Sequence, residues 1–205
     1  MRLSLGLSST GAQNPSEGRD WRFTRLALPD VVLIEAPRRG DARGWFCETY
    51  SRRVFDANGV RLTFVQDNVS FSAETGTLRG LHYQSEPFAQ DKLVRVLRGS
   101  VLDVAVDIRE GSATFGRHVA VALSAENGRA LLVPAGFAHG FITREPDTLV
   151  AYKVTAFYAA AHDRGIFWAD PHLGIDWGLG VDAEPILSVK DLALPPLARA
   201  EHLFA

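Results

Sequence analysis

The residues with chemistry to offer gather in three short stretches. Arg79-Gly-Leu-His-Tyr-Gln84 sets a histidine between two alternating apolar segments, and Gln90-Asp-Lys-Leu-Val94 brings a lysine. Val133-Pro-Ala-Gly-Phe-Ala-His-Gly-Phe141 brings a second histidine. Carried on strands, these stretches put two imidazoles and an ammonium at strand ends facing one cavity. An imidazole, with an unperturbed pKa of about 6.5, removes a proton near neutral pH without extreme tuning. A lysine fixed nearby stabilises an enolate oxygen as its charge develops. A tyrosine across the cavity returns a proton to the opposite face. Base, cation and acid are the parts required to invert a carbon next to a ketone, a chemistry the sequence permits without forcing.

Metal binding is the competing use of the same histidines. Pro134-x-Gly136-x-x-His139 matches the second motif of the cupin superfamily, and His82-Tyr83-Gln84 falls where a metal-binding cupin has His-x-His with a glutamate shortly after. Here Gln84 replaces the second histidine, Phe88 and Ala89 stand in the glutamate's place, and Glu86 is too close to serve. His82 and His139 alone fall short of the roughly three protein ligands of a catalytic transition-metal site. No metal is expected, and a metal-dependent cupin oxygenase is disfavoured.

The elements that must position these groups read as strands. Leu102, Val104, Val106 and Ile108 alternate with Asp103, Ala105, Asp107 and Arg109, so one face is apolar and the other carries two carboxylates. Further strands are expected at Val31–Glu35, Trp45–Tyr50, Leu62–Ser70, Leu93–Leu97, His118–Leu123, Ala130–Val133, Gly140–Thr143 and Thr148–Thr155. Gly40-Asp-Ala-Arg-Gly44 and Arg98-Gly-Ser100 read as turns. Turn signals at short intervals mark a sandwich or barrel rather than βαβ units. Short helices are expected over Ser51–Asn58, with Ser51 as N-cap and Asn58-Gly59 as stop, and from Ser188 to about Ala193. Residues 1–22, rich in Ser and Gly, read as a mobile arm ahead of a single domain over 23–205.

Composition narrows the function classes. A chain of 205 residues with 46% hydrophobic and 22% charged residues is most economically one soluble domain. A net charge of −2 makes no electrostatic case for nucleic acid. The single cysteine, Cys47, excludes an intrachain disulfide, suits a reducing compartment and reads as a small buried or edge residue. No apolar run reaches the roughly 18 residues of a membrane span, and Met1-Arg-Leu-Ser-Leu-Gly-Leu7 lacks the h-region of a secretory signal. A cytoplasmic protein is expected.

Ordered segments then add a resemblance. Phe64-Val-Gln-Asp-Asn-Val-Ser70, Leu78 to Gln84, Lys92-Leu-Val94, Asp103 to Arg109, Thr114-Phe-Gly116, Val133 to Phe141 and Tyr152-Lys-x-Thr155 occur in the order and near the spacing of one family. Over roughly residues 25–195 the chain resembles the dTDP-4-dehydrorhamnose 3,5-epimerases. The resemblance implies an all-β, cupin-type double-stranded β-helix (jelly-roll barrel) and a homodimer. It also implies a dTDP-4-keto-6-deoxyhexose substrate and no cofactor. His82 then matches the general base, with Asp191 of Ser188-Val-Lys-Asp as its carboxylate partner. Tyr152 matches the general acid and Lys92 the enolate-stabilising cation. Among substrate contacts, Arg79 matches one to the diphosphate. Arg43 and Glu48 match others, Arg43 with reach into the partner's site. Gln66, Asp67 and Asn68 match a segment that meets the nucleotide, and Tyr158 the ring that stacks on thymine. His139, Asp163 and Lys190 match lesser contacts. A buried imidazole bonded to Asp103 is the alternative reading of His139. Asp163 stands where relatives often carry glutamate and Ala160 where many have proline, and the loop before Pro185 is longer than usual. The four tryptophans read as core or interface aromatics, while His118, His162, His172 and His202 receive no role. Inversion at C3 or C5 alone, and binding of a nucleotide sugar without catalysis, are the alternatives to inversion at both carbons.

Overall fold

The computed structural model describes residues 21–180 and 183–204. Most of the arm expected over 1–22 lies outside them, although Arg22 already opens the first strand. In chain order the strands are β1 (Arg22–Arg25), β2 (Val32–Glu35), β3 (Arg38–Asp41) and β4 (Gly44–Cys47), followed by helix α1 (Arg52–Ala57). Next come β5 (Gln66–Ser72), β6 (Leu78–Gln84), β7 (Lys92–Arg98), β8 (Ser100–Asp107) and β9 (His118–Ser124). Then follow β10 (Arg129–Val133), β11 (Phe137–Thr143), β12 (Thr148–Val154), β13 (Asp163–Gly165) and helix α2 (Val189–Leu192).

Two antiparallel sheets hold most of these strands. One has the order β1-β2-β10-β7-β12-β5 and the other β13-β6-β11-β8-β9, while β3 and β4 form a separate hairpin. From β5 to β13 the chain changes sheet at every connection except β8 to β9, which is the winding of the expected cupin-type double-stranded β-helix.

The central strands of both sheets are covered on both faces, and this decides which side chains line the barrel. On β8 the inward residues are Val101, Asp103, Ala105 and Asp107. Val101 and Ala105 join the interior cluster with Val94, Leu131, Phe137, Phe141 and Val150. The uniformly apolar face, Leu102, Val104, Val106 and Ile108, points outward and is buried beneath Ile166, Leu173, Trp177 and Leu197 of the C-terminal quarter. The carboxylate-bearing face is therefore the interior one, and Asp103 and Asp107 are both fully buried. A third cluster, Val32, Ile34, Leu93 and Leu132 beneath Phe55 of α1, covers the outside of β2, β7 and β10 in the other sheet.

Several local expectations shift. Leu62 and Phe64 lie outside any strand and pack on the α1 cluster, with Phe64 edge-on to Tyr50 at 5.3 Å. The segment after Trp45 is strand only as far as Cys47, and the turn cluster Gly40–Gly44 supplies the ends of a hairpin. Ser51 occupies the N-cap of α1 without a side-chain capping bond, so packing of Val54 and Phe55 holds this short helix.

Candidate active site

The site begins where two strands approach more closely than side chains allow. His82 on β6 and His139 on β11 are direct cross-strand partners, and the register slips just beyond them. There Gly80 adopts φ +138°, and a Cβ on it would lie 2.5 Å from Gly140 Cα. A Cβ on Gly140 would meet Arg79 O at 2.8 Å, so both positions require glycine. The irregularity breaks the alternation of β6. Leu78, Leu81 and Tyr83 join the outward cluster, Tyr83 also bordering the cavity, while Arg79, His82 and Gln84 line that cavity although Arg79 and His82 are three residues apart. Strict period two would have separated them.

This cavity, about 290 Å³, is walled by Arg79, His82, Gln84, His139 and Phe141 from one sheet and by Ser70, Lys92 and Tyr152 from the other. Its mouth carries Gln90, Tyr158, Asp163, Ser188, Lys190 and Asp191. His82 Nε2 meets Asp191 Oδ1 at 2.5 Å, which leaves Nδ1 of the ring for other work. Ser188 caps α2 by accepting from the Asp191 N–H, and its hydroxyl donates to Asp191 Oδ2 at 2.7 Å. Burial alone would raise the Asp191 pKa, but the bonds from His82 and Ser188 outweigh it and hold this carboxyl below its usual range. The carboxylate is thus ionised and aimed at the imidazole.

Lys92 Nζ donates to the His82 carbonyl at 3.1 Å. Burial pushes its pKa down to about 8, against the opposing pull of Asp163 and Asp103, so the ammonium persists at neutral pH but is poised to lose its charge just above it. Tyr152 faces the cavity from the sheet opposite His82. Burial raises its pKa above the ordinary tyrosine value, which keeps the phenol protonated and able to donate.

The second imidazole is placed differently. Both oxygens of Asp103 approach His139 Nε2, at 2.9 and 3.0 Å, and the pair is almost wholly buried. The bond to Asp103 considered in the sequence is therefore present, and His139 also borders the cavity. Arg79 is held at the wall by bonds to Ser72 Oγ and Phe71 O. At the mouth, Asp163 receives bonds from Tyr158 Oη at 3.0 Å and from Lys190 Nζ at 2.5 Å. Gln84 directs its whole amide to backbone groups, so the position of a metal cupin's second histidine is spent on the fold.

Five candidates do not reach this cavity within the chain, Gln66 among them. Arg43 sits exposed at the hairpin tip, paired with Asp41. Glu48 is exposed beyond β4. Asp67 points outward from β5 to an ion pair with Lys153 at 2.8 Å, because period two sends it to the face opposite Gln66 and Asn68. Asn68 instead accepts a bond from Gln66, which in turn holds the Tyr158 N–H. Conversely, Ser70, Gln84, Gln90, Phe141 and Ser188 line the site without having been proposed for it. Period two from Asn68 would have found Ser70, and period two from His139 would have found Phe141.

With this geometry in view, comparison with known proteins is informative. A family model described as dTDP-4-dehydrorhamnose 3,5-epimerase matches residues 25–199. The chain belongs to the dTDP-4-dehydrorhamnose 3,5-epimerase family. The member from Pseudomonas aeruginosa is 55% identical over 171 residues, 83% of this chain and 92% of that protein. A crystal structure of the Bacillus anthracis member, with TDP and PPi bound, superposes with a TM-score of 0.82 at 48% identity, covering 86% of this chain and 99% of that one. The Legionella pneumophila epimerase, in complex with dTDP-4-keto-L-rhamnose, gives a TM-score of 0.82 at 44% identity, covering 87% and 94%. The match thus runs from the end of β1 to the segment after α2 and includes the whole of the candidate site.

Proposed function

We propose that this protein inverts C3 and C5 of dTDP-4-dehydro-6-deoxy-D-glucose, giving dTDP-4-dehydro-L-rhamnose. One observation carries the reading: an imidazole braced by an ionised carboxylate and a protonated phenol face one cavity from opposite sheets. His82 Nδ1 takes the proton from the carbon beside the C4 ketone, and Asp191 stabilises the imidazolium that forms. The C–H electron pair moves into the enolate, whose oxygen is stabilised by the Lys92 ammonium. Tyr152 delivers a proton to the opposite face of the carbon, and exchange with solvent resets both groups. Repetition at the second carbon completes the change, and no electron acceptor enters the balance.

Arg79 suits the diphosphate, where a guanidinium fork pairs with phosphate oxygens. Tyr158 suits the base as a stacking surface, with Lys190 and Asp163 beside it. A second copy of the chain completes the enzyme in this reading. Trp45 and Phe46 of the hairpin and Val69 and Phe71 of edge strand β5 are all more than half exposed, an apolar surface suited to burial in a homodimer. Arg43 and Glu48 of one copy would then serve the cavity of the other. One cysteine makes no demand for an oxidising compartment, in keeping with a cytoplasmic enzyme.

The test is to incubate the protein with dTDP-4-keto-6-deoxyglucose, trap products with a reductase and assign their configuration by NMR. A product inverted at both C3 and C5 supports the reading. Inversion at one carbon reduces it to a single-position epimerase, and tight binding without reaction leaves only a nucleotide-sugar binder.

A further inference from the structure

Gln84 is 5% exposed and spends its amide on two neighbouring loops. Its Oε1 accepts from the Ala159 N–H at 2.7 Å, and its Nε2 donates to Phe157 O at 3.2 Å and Phe88 O at 2.7 Å. Two further glutamines reach the same segment. Gln90 Nε2 donates to Ala156 O at 2.7 Å, and Gln66 Oε1 accepts from the Tyr158 N–H at 3.1 Å. Ala156, Phe157, Tyr158 and Ala159 are thus each held, through a backbone group, by a glutamine side chain.

The segment has few other means of holding a shape. It lies between β12 and the 3-10 turn at Ala160–His162, and it exposes Phe157 by 64% and Tyr158 by 61%. Rings so exposed gain little orientation from apolar packing; Tyr158 is tethered at its hydroxyl by Asp163 at 3.0 Å, and the placement of the ring's other end is inherited from the backbone. Glutamine suits that task, because one neutral, planar amide offers donor and acceptor together without adding charge beside His82 and Lys92.

We propose that Gln66, Gln84 and Gln90 form a cradle that sets the pose of the 156–159 segment, and with it the Tyr158 ring against the nucleotide base. They are positioning residues that govern nucleotide affinity rather than proton transfer. The inference rests on the reading of Tyr158 as the base-stacking ring.

The experiment uses the full chain and dTDP as the probe. Dissociation constants from calorimetry, with kcat, KM and the pH profile, are measured for Gln84→Met and Gln90→Met, each alone and combined with Tyr158→Ala. Methionine keeps the length and neutrality while removing the hydrogen bonds. The dTDP dissociation constant and KM rise about tenfold in each glutamine variant, the scale of losing one base–aromatic stack. The value of kcat changes by less than about threefold and the pH profile stays in place. In the Tyr158→Ala background the glutamine changes add less than about twofold, because both act through the same ring. Gln90 lies outside the strands and is only partly buried, so its variant carries the test if Gln84→Met does not fold.

Unchanged dTDP affinity in both variants, a fall in kcat at constant KM, or losses that multiply in full with Tyr158→Ala would each overturn the cradle. Wild-type affinity in Tyr158→Ala alone is a distinct outcome: it overturns the base-stacking reading itself.

Discussion

Two imidazole–carboxylate pairs stand side by side in this barrel, on strands that place His82 directly opposite His139, yet their surroundings differ. His82 is 30% exposed and draws its carboxylate from a short helix after the barrel is complete. His139 is 9% exposed and draws Asp103 from the neighbouring strand, with both carboxylate oxygens against one ring nitrogen. The first pair uses only Nε2 for its carboxylate and borders the cavity across from Tyr152. The second is embedded among the side chains that shape that space. A His–Asp contact alone is therefore no mark of a base. What distinguishes the pair proposed as catalytic is its greater exposure at the cavity and a tyrosine on the opposite wall.

The sharpest way to break this comparison is to remove each imidazole in turn. His82→Ala should lower turnover by about 10³-fold, the scale of a positioned general base, whereas His139→Ala should lower it by about tenfold or less, read as kcat on folded protein. Exchanging the carboxylates comes next. Asp191→Asn should cost about 10²-fold in kcat, because the amide no longer stabilises the imidazolium and can impose the wrong tautomer. Asp103→Asn should act less on kcat and more on stability, by about 1–3 kcal/mol in chemical denaturation, since it disturbs a buried polar pair.

A smaller effect links the pairs through Lys92. Its charge is present below its pKa of about 8 and lost as pH rises through that value, so kcat/KM should fall above about pH 8. Asp103 pulls that pKa upward, so Asp103→Asn should move this alkaline limb to lower pH. A pH–rate series on both proteins checks the sign, and an unmoved limb would separate the two pairs electrostatically.

Much of this site could be read from residue order. The stretches around His82, Lys92 and His139 converge as the strand pattern implied. Asp191 meets His82 as the resemblance implied, with the cap at Ser188 setting where α2 begins. Other features were invisible to local pattern. The alternation along β8 could not say which face turns inward, since that depends on the C-terminal quarter covering the apolar one. The slip at Gly80, which brings Arg79 and His82 to one face, arises from close contact with Gly140, a partner 60 residues away. Asp67 was grouped with its neighbours by resemblance although strand geometry turns it outward. Gln84 and Gln90 carried no signal for bracing a loop, because such a glutamine is indistinguishable in sequence from one exposed to water, and Gln66 stood out only by resemblance.

The most direct test of the central claim separates proton removal from turnover. Wild type, His82→Ala and His139→Ala would each be incubated with dTDP-4-keto-6-deoxyglucose in deuterated water, with deuterium at C3 and C5 followed by NMR. Wild type and His139→Ala should take up label at both carbons, and His82→Ala almost none. Exchange at the wild-type rate in His82→Ala would contradict the central claim and move the base elsewhere in the cavity.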